Sequence, residues 1–322
     1  YEVDNLRDFH YLKETVYPKL CRKENPFDKQ NVFEIFRNIM HQHELSEHYV
    51  QITQIGGMTN RNFKVTWSNE SYVLRIPGNG TEGMIVRENE DYNSRLAYQL
   101  KITPEIFYLD VQSGVKLVRY IEGAETLNNA TIQYMNHIEK VIMVLRTLHT
   151  SGVRFNNDFN VFKEIEIYEE LLGRVKGWMY EGYSELRPSI FALADRLNQL
   201  GVTLTPCHND LVAENFVKGL DGKIHLIDWE YSGMNDPLWD LAALFIESSF
   251  SEENLQRALL LYYDNNIPPC VPQKILIYQI LMDILWAIWT RIKETQGDDF
   301  GNYGIMRFQR AISNLEKLEM DV

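Results

Sequence analysis

The chain has 322 residues, 45% of them hydrophobic and 24% charged, with a formal net charge of -13. That length exceeds what one hydrophobic core ordinarily organises and predicts two lobes, while the apolar fraction excludes a disordered chain. The acidic balance argues against broad binding to nucleic acid or anionic lipid and suits a small cationic ligand.

The three cysteines, Cys21, Cys207 and Cys270, lie far apart with no C-x-x-C spacing, a pattern that fits a reducing compartment and no structural metal. The apolar stretch 275–292 is interrupted by Gln279, Asp283 and Arg291, and no signal peptide opens the chain. The sequence therefore reads as cytoplasmic, without membrane insertion. It begins at Tyr1 rather than Met, which points to residues missing upstream.

Residues 1–44 read as an N-terminal extension: Pro18, Pro26 and scattered charges come first, and 31–44 reads as a helix. Short β-rich runs follow at 49–55, 62–67 and 72–76, separated by turns at 56–60 and 68–70, and predict an antiparallel meander. A helix over 84–100 and a strand pair, 106–110 with 115–120 across Ser113-Gly114, complete a five-stranded sheet with one helix in a first lobe, 45–121. Helical patterns at 132–150, 162–173, 187–200, 252–264, 273–295 and 303–319 make 122–322 a mainly helical second lobe. Within it, runs at 215–218 and 223–227 flank Gly219-Leu220-Asp221-Gly222, a hairpin that delivers the chain to Asp228. The fold class is α+β with two lobes.

The densest chemistry is His208-Asn209-Asp210-Leu211-Val212-Ala213-Glu214-Asn215, followed after that hairpin by Asp228-Trp229-Glu230. This spacing gathers three oxygen-bearing side chains on one loop face. Phosphoryl transfer to an alcohol needs such a set: a carboxylate that orients the hydroxyl and accepts its proton, and an amide and a carboxylate that hold magnesium on nucleotide phosphates. Asp210 is the candidate base; Asn215, also part of the catalytic set, and Asp228 are the candidate metal ligands. Loop caps and turns use the same residue types, so the case rests on the joined pattern. It resembles the catalytic loop and metal-binding Asp of protein kinases, with His-Asn-Asp for His-Arg-Asp and Asp-Trp-Glu for Asp-Phe-Gly.

Together with Ile227-Asp228-Trp229-Glu230-Tyr231 and Asn235-Asp236-Pro237-Leu238-Trp239-Asp240-Leu241-Ala242, this segment resembles the choline/ethanolamine kinase family, especially its bacterial choline kinases, over about 49–308. The resemblance implies a protein-kinase-like fold shared with aminoglycoside phosphotransferases, with ATP between the lobes and Mg2+ as cofactor. By the same resemblance the turn containing Gly57, Thr59 and Asn60 faces the nucleotide phosphates, Arg75 presents a cation to them, and Glu90, rather than Glu88, is the acidic partner of Arg75. An outward strand Arg and a solvated helix face are the plainer alternatives. Asp236 precedes Pro237 where a helix N-cap is expected; Asp240 is implied to brace the catalytic loop, and His208 to be structural.

A quaternary ammonium donates no hydrogen bond and is held by aromatic faces and diffuse negative charge. On the 273–295 helix, Leu281, Leu285, Ile288 and Ile292 form a packing stripe, with Trp289 at its border and Trp286 one step further round. The two indoles occupy neighbouring surface as candidate walls of a box. The resemblance matches them to the family's substrate-binding Trp pair, adds Tyr303 as a further wall, and places Glu247 near the ammonium. Glu230 is a candidate for substrate contact or for support of the metal loop.

The reading is therefore an ATP-dependent choline kinase that makes phosphocholine and ADP. The alternatives are a kinase of the same fold acting on ethanolamine, an aminoglycoside or another amino alcohol, and an inactive kinase-fold binding protein. No peptide platform follows Asp228, since only Ser232-Gly233-Met234-Asn235 separates Tyr231 from Asp236, which disfavours a protein kinase. Tyr1-Glu2-Val3-Asp4-Asn5 with Asp8-Phe9 resembles the closing segment of sugar-nucleotide-type nucleotidyltransferases, so an upstream fused cytidylyltransferase domain is a further expectation. Oligomeric state is not readable from the sequence.

Overall fold

A computed structural model describes residues 27–56, 60–78 and 85–320. The chain divides into two units: Tyr1–Asp91 with Pro104–Glu122, and Tyr92–Thr103 with Gly123–Val322. The turn residues Gly57 and Thr59 and the N-terminal segment with nucleotidyltransferase character lie outside the described residues.

In the first unit, helix α1 (Lys29–Ile39) starts where the Asp28 carboxylate accepts the Asn31 N–H at 2.7 Å, an N-cap that satisfies one of the orphan amides. Its apolar face sends Val32, Phe33 and Phe36 into the core. Strands β1 (Gln51–Ile55), β2 (Asn60–Trp67), β3 (Glu70–Pro77), β4 (Ile106–Leu109) and β5 (Lys116–Arg119) form an antiparallel sheet ordered β1-β2-β3-β5-β4. Along β3 the two-residue period sends Tyr72, Leu74 and Ile76 to the core that holds α1, and turns Arg75 to the other face. The unit thus takes in α1, which the sequence reading set apart as an extension.

Helix α2 (Arg87–Gln99) begins in the first unit and continues into the second. Six helices follow in the second unit: α3 (Met135–His149), α4 (Val161–Arg174), α5 (Tyr183–Leu200), α6 (Pro237–Glu247), α7 (Glu252–Tyr262) and α8 (Val271–Thr295). Helix α9 (Tyr303–Met320) ends the described chain. Before α3 comes the short strand β6 (Glu125–Thr126), and between α5 and α6 lie β7 (Thr205–Cys207), β8 (Phe216–Lys218), β9 (Ile224–Leu226) and β10 (Gly233–Asn235). These strands pair as β6-β8-β9 and β7-β10. The β8–β9 hairpin is the one anticipated around 219–222.

Helix α8 packs against α9, α4, α6 and α5. Leu281, Leu285, Ile288 and Ile292 are all buried, as the stripe required. By length and composition α8 could cross a membrane, but most of its apolar window is buried within the unit, as expected of a core helix. The helix expected over 187–200 begins earlier, at Tyr183, and carries Pro188 inside it. The pairing of β7 with β10 has no local turn signal, because the partners are separated by the whole catalytic segment.

Candidate active site

The catalytic segment is held from beneath by a buried carboxylate. Asp240, in the first turn of α6, accepts the backbone N–H groups of His208 and Asn209, both at 2.8 Å, and is fully buried. Its second tie is to His149 Nε2 at 3.0 Å, whose other ring nitrogen lies 2.8 Å from the Tyr262 hydroxyl. Cys207 shares this buried pocket with His149 and Asp240; burial pushes its thiol up, as does the Asp240 charge, so it is a protonated packing group there.

Asn209 has a left-handed backbone, φ 67°, a conformation that Asn tolerates better than most residues. Four further bonds hold this turn. The Asn209 amide donates to the Tyr231 carbonyl at 3.0 Å and accepts from Asn235 Nδ2 at 3.0 Å, Trp239 Nε1 donates to the Asn209 carbonyl at 3.1 Å, and His208 Nε2 lies 2.9 Å from the Ile227 carbonyl. His208 is fully buried with its ring edge-on to Trp229, so it acts in packing. Asp236 caps α6 by accepting the Leu238 N–H at 3.0 Å and pairs with Lys274.

This frame presents Asp210 half-buried at the end of the turn. Burial and then the charges of Asp228, Glu247, Glu230 and Asp240 push its carboxyl up to about 8. The same crowding shows that four sequence-predicted site residues, Asp210, Asp228, Glu230 and Glu247, share one electrostatic neighbourhood. Asn215, one short turn on, donates its amide N–H to the Asp210 carbonyl at 2.8 Å, which leaves its carbonyl oxygen as the end suited to a cation. Asp228 has φ 68° and follows β9, where the Ile227 N–H is tied to the Asn215 carbonyl at 2.9 Å. Oxygen donors from an amide and a carboxylate, amid excess negative charge, fit a magnesium ion.

The aromatic residues assemble in the same unit. Trp286 and Trp289 are both half-buried, 5.9 Å apart between ring centroids and nearly perpendicular at 85°. They form two walls meeting at a corner. Tyr231 stands edge-on to Trp286 at 6.0 Å, and Phe300 edge-on to Trp289 at 5.1 Å. Neither Tyr231 nor Phe300 was singled out from the sequence, although Tyr231 directly follows Glu230. The Tyr231 hydroxyl is driven up by burial, by Tyr168 and by the Asp210 charge, which puts Tyr231 within the electrostatic neighbourhood of Asp210.

Tyr303 is 40% exposed, and its hydroxyl is raised by burial and by Glu247 and Asp210 charge, partly offset by Arg307. The Arg307 guanidinium sits 4.9 Å from the Tyr303 ring centroid and is bonded to Glu247. Glu247, which the sequence reading placed beside an ammonium, is thus already engaged by an arginine.

The N-terminal candidates belong to the first unit. Asn60 is buried and opens β2 opposite Pro77. Arg75 pairs with Glu90, Nη1 to Oε1 at 2.8 Å and Nη2 to Oε2 at 2.8 Å, and also donates to the Gly114 carbonyl at 3.2 Å. Arg87 reaches Glu90 at 2.7 Å and Lys116 reaches it at 3.0 Å. Three cations therefore share one carboxylate. The turn that supports them needs glycine: Gly114 has φ 72°, and a Cβ there would come within 2.8 Å of Arg87 Nε and of the Pro77 ring.

Comparison with known proteins agrees with this chemistry. The family model described as choline/ethanolamine kinase matches residues 51–258. The chain is 36% identical over 284 residues to the protein LicA of Haemophilus influenzae, a match covering 86% of this chain and 83% of that one. Among solved structures, that of the choline kinase LicA from Streptococcus pneumoniae superposes with a TM-score of 0.77 at 39% identity, covering 88% of this chain and 98% of the other. A spectinomycin phosphotransferase structure superposes with a TM-score of 0.58 at 15% identity, over 92% of this chain and 99% of the other, a likeness of fold alone. The chain belongs to the choline/ethanolamine kinase family and is a small-molecule kinase with the fold of the choline kinases and aminoglycoside phosphotransferases.

Proposed function

We propose that this protein transfers the γ-phosphoryl group of ATP to the hydroxyl of choline, giving phosphocholine and ADP. The observation that supports the reading is that Asp210, a carboxylate whose proton affinity is raised, shares a charge neighbourhood with Tyr231, which stands edge-on to Trp286 in its corner with Trp289. Family membership supports the reaction class, and the relatives named as choline kinases support the acceptor.

In this reading Asp210 accepts a hydrogen bond from the choline hydroxyl, aims its oxygen at the γ-phosphorus and takes its proton as the bond to phosphorus forms. The bond from the γ-phosphorus to the bridging oxygen breaks and ADP leaves with that electron pair. Asn215 and Asp228 would hold Mg2+, which supplies charge compensation on the phosphates. Arg75, kept in place by Glu90, is assigned to the phosphates, with Gly57, Thr59 and Asn60 of the preceding turn. No covalent intermediate with the protein is needed; positioning and preorganised charge supply the acceleration.

Trp286, Trp289 and Tyr303 would enclose the trimethylammonium group, which gains from π faces without requiring acceptors. Glu230 would add diffuse negative charge, and Glu247 would lie near the ammonium with its charge offset by Arg307. ADP release with ATP and magnesium, compared across choline, ethanolamine, an aminoglycoside and no acceptor, tests the reading. Choline-dependent turnover well above the other acceptors supports it; turnover with ethanolamine or an aminoglycoside in preference to choline overturns the acceptor assignment.

A further inference from the structure

Three helices of the second unit meet at one guanidinium. Arg307, one turn beyond Tyr303 on α9, is only 3% exposed. Its Nη1 donates to Asp283 of α8 at 3.0 Å, its Nη2 donates to Glu247 at the end of α6, and its plane lies 4.9 Å from the Tyr303 ring centroid. Asp283 is fully buried and is also bridged by Arg310, Nε at 2.7 Å and Nη2 at 2.6 Å. Two carboxylates and two guanidiniums make a locally neutral cluster. Asp283 lies one helical turn from Trp286, and Arg307 one turn from Tyr303, so the cluster underlies two walls of the aromatic enclosure.

Arg307 is one of several ties between α9 and α8. That contact already has a close backbone approach at Gly304, where a Cβ would meet Thr290 Cβ at 2.9 Å and the Tyr180 hydroxyl closer still, and the Asp283–Arg310 pair spans the same two helices. What Arg307 adds is a charge against Glu247. Burial and, less, the Asp283 charge raise the Glu247 carboxyl, while Arg307 and, less, Arg310 oppose that rise.

We infer that Arg307 is a positioning residue that sets acceptor selectivity: by occupying Glu247 and offsetting its charge, it denies a primary ammonium a strong carboxylate partner and leaves the quaternary ammonium, which needs none, favoured by the aromatic walls. The inference rests on the choline kinase reading and deepens it. A primary ammonium carries three N–H donors that must be satisfied once it leaves water, whereas a trimethylammonium presents only methyl groups. With Glu247 released, the pocket gains a hydrogen-bond acceptor of full charge, which rewards the primary amine specifically.

The test is the ratio of kcat/KM for choline to that for ethanolamine in the unaltered enzyme, Arg307→Gln, Arg307→Lys and the double variant Glu247→Gln with Arg307→Gln. Binding of each amino alcohol is followed in parallel by tryptophan fluorescence. Arg307→Gln is expected to move the ratio toward ethanolamine by about tenfold to a hundredfold, the scale of one charge-assisted hydrogen bond. Arg307→Lys, which keeps the charge, and the double variant, which removes the freed carboxylate, are both expected to return it toward the wild-type value.

A merely structural role would lower both acceptors in proportion and leave the ratio unmoved in every variant, and that result overturns the inference. Where Arg307→Gln does not fold, Glu247→Gln alone decides. It is expected to weaken both acceptors alike, and a selective loss of ethanolamine would show that Glu247 is already free to serve an ammonium, overturning the inference. Failure of the underlying reading is distinct: the unaltered enzyme would then prefer ethanolamine to choline in both turnover and fluorescence.

Discussion

The Arg75 guanidinium meets the Glu90 carboxylate through two N–O contacts of 2.8 Å, and the Glu90 side chain is fully buried. Removing Glu90 takes away the carboxylate that Arg75, Arg87 and Lys116 share. Glu90→Ala is therefore expected to lower the unfolding free energy by about 3–5 kcal/mol, the range for breaking a buried pair from one side. Urea denaturation of the variant beside the unaltered protein checks this.

The same pair makes an acid prediction. Burial alone would raise the Glu90 carboxyl, but Lys116, Arg75 and Arg87 outweigh it and hold the group far below the usual carboxylate range. An unfolded Glu titrates near about 4.3, so below that pH the unfolded chain takes up a proton that the folded protein refuses. The stability from this group is present in full above about 4.3 and declines by about 1.4 kcal/mol per pH unit below it, until the folded group itself titrates. Stability curves measured from pH 5 downward should be shallower in Glu90→Gln than in the unaltered protein.

Asp240 serves the catalytic turn by satisfying two buried amides. Asp240→Ala orphans the N–H groups of both His208 and Asn209, each costing about 1–3 kcal/mol. A loss of about 2–6 kcal/mol by denaturation is expected, together with a fall in kcat that exceeds any change in the KM for ATP.

Trp286 faces both Trp289 and Tyr231. Trp286→Ala should raise the KM for choline by about tenfold or more, in keeping with a desolvated cation–π contact of about 2 kcal/mol. Titration by the remaining fluorescence, and the KM for ATP unchanged within about twofold, would separate this effect from general damage.

Much of this site was legible because its residues are close in sequence. His208 to Asn215 and the β8–β9 hairpin form one continuous segment, so spacing alone brings Asp210, Asn215 and Asp228 together. The buried stripe of α8 was equally legible, since a helix repeats its own period. Contacts between distant segments were not. Lys116 of β5 joins Glu90 of α2, Arg307 of α9 reaches Glu247 and Asp283 on two other helices, and no local pattern marks an arginine as the partner of a glutamate far along the chain. Glu247 shows the consequence: the resemblance singled it out, but nothing local marks the guanidinium that engages it. The start of α5 was placed four residues late, beside Pro188, which lies inside the helix.

The most direct test of the central claim is the formation of phosphocholine from choline and ATP by the unaltered protein and by Asp210→Ala, with nucleotide binding measured separately for each. The account predicts phosphocholine and ADP in equal amounts from the unaltered protein, a loss of at least about a hundredfold in turnover for Asp210→Ala, and retained nucleotide binding. Near-normal phosphocholine formation by Asp210→Ala, or none by the unaltered protein, would contradict it.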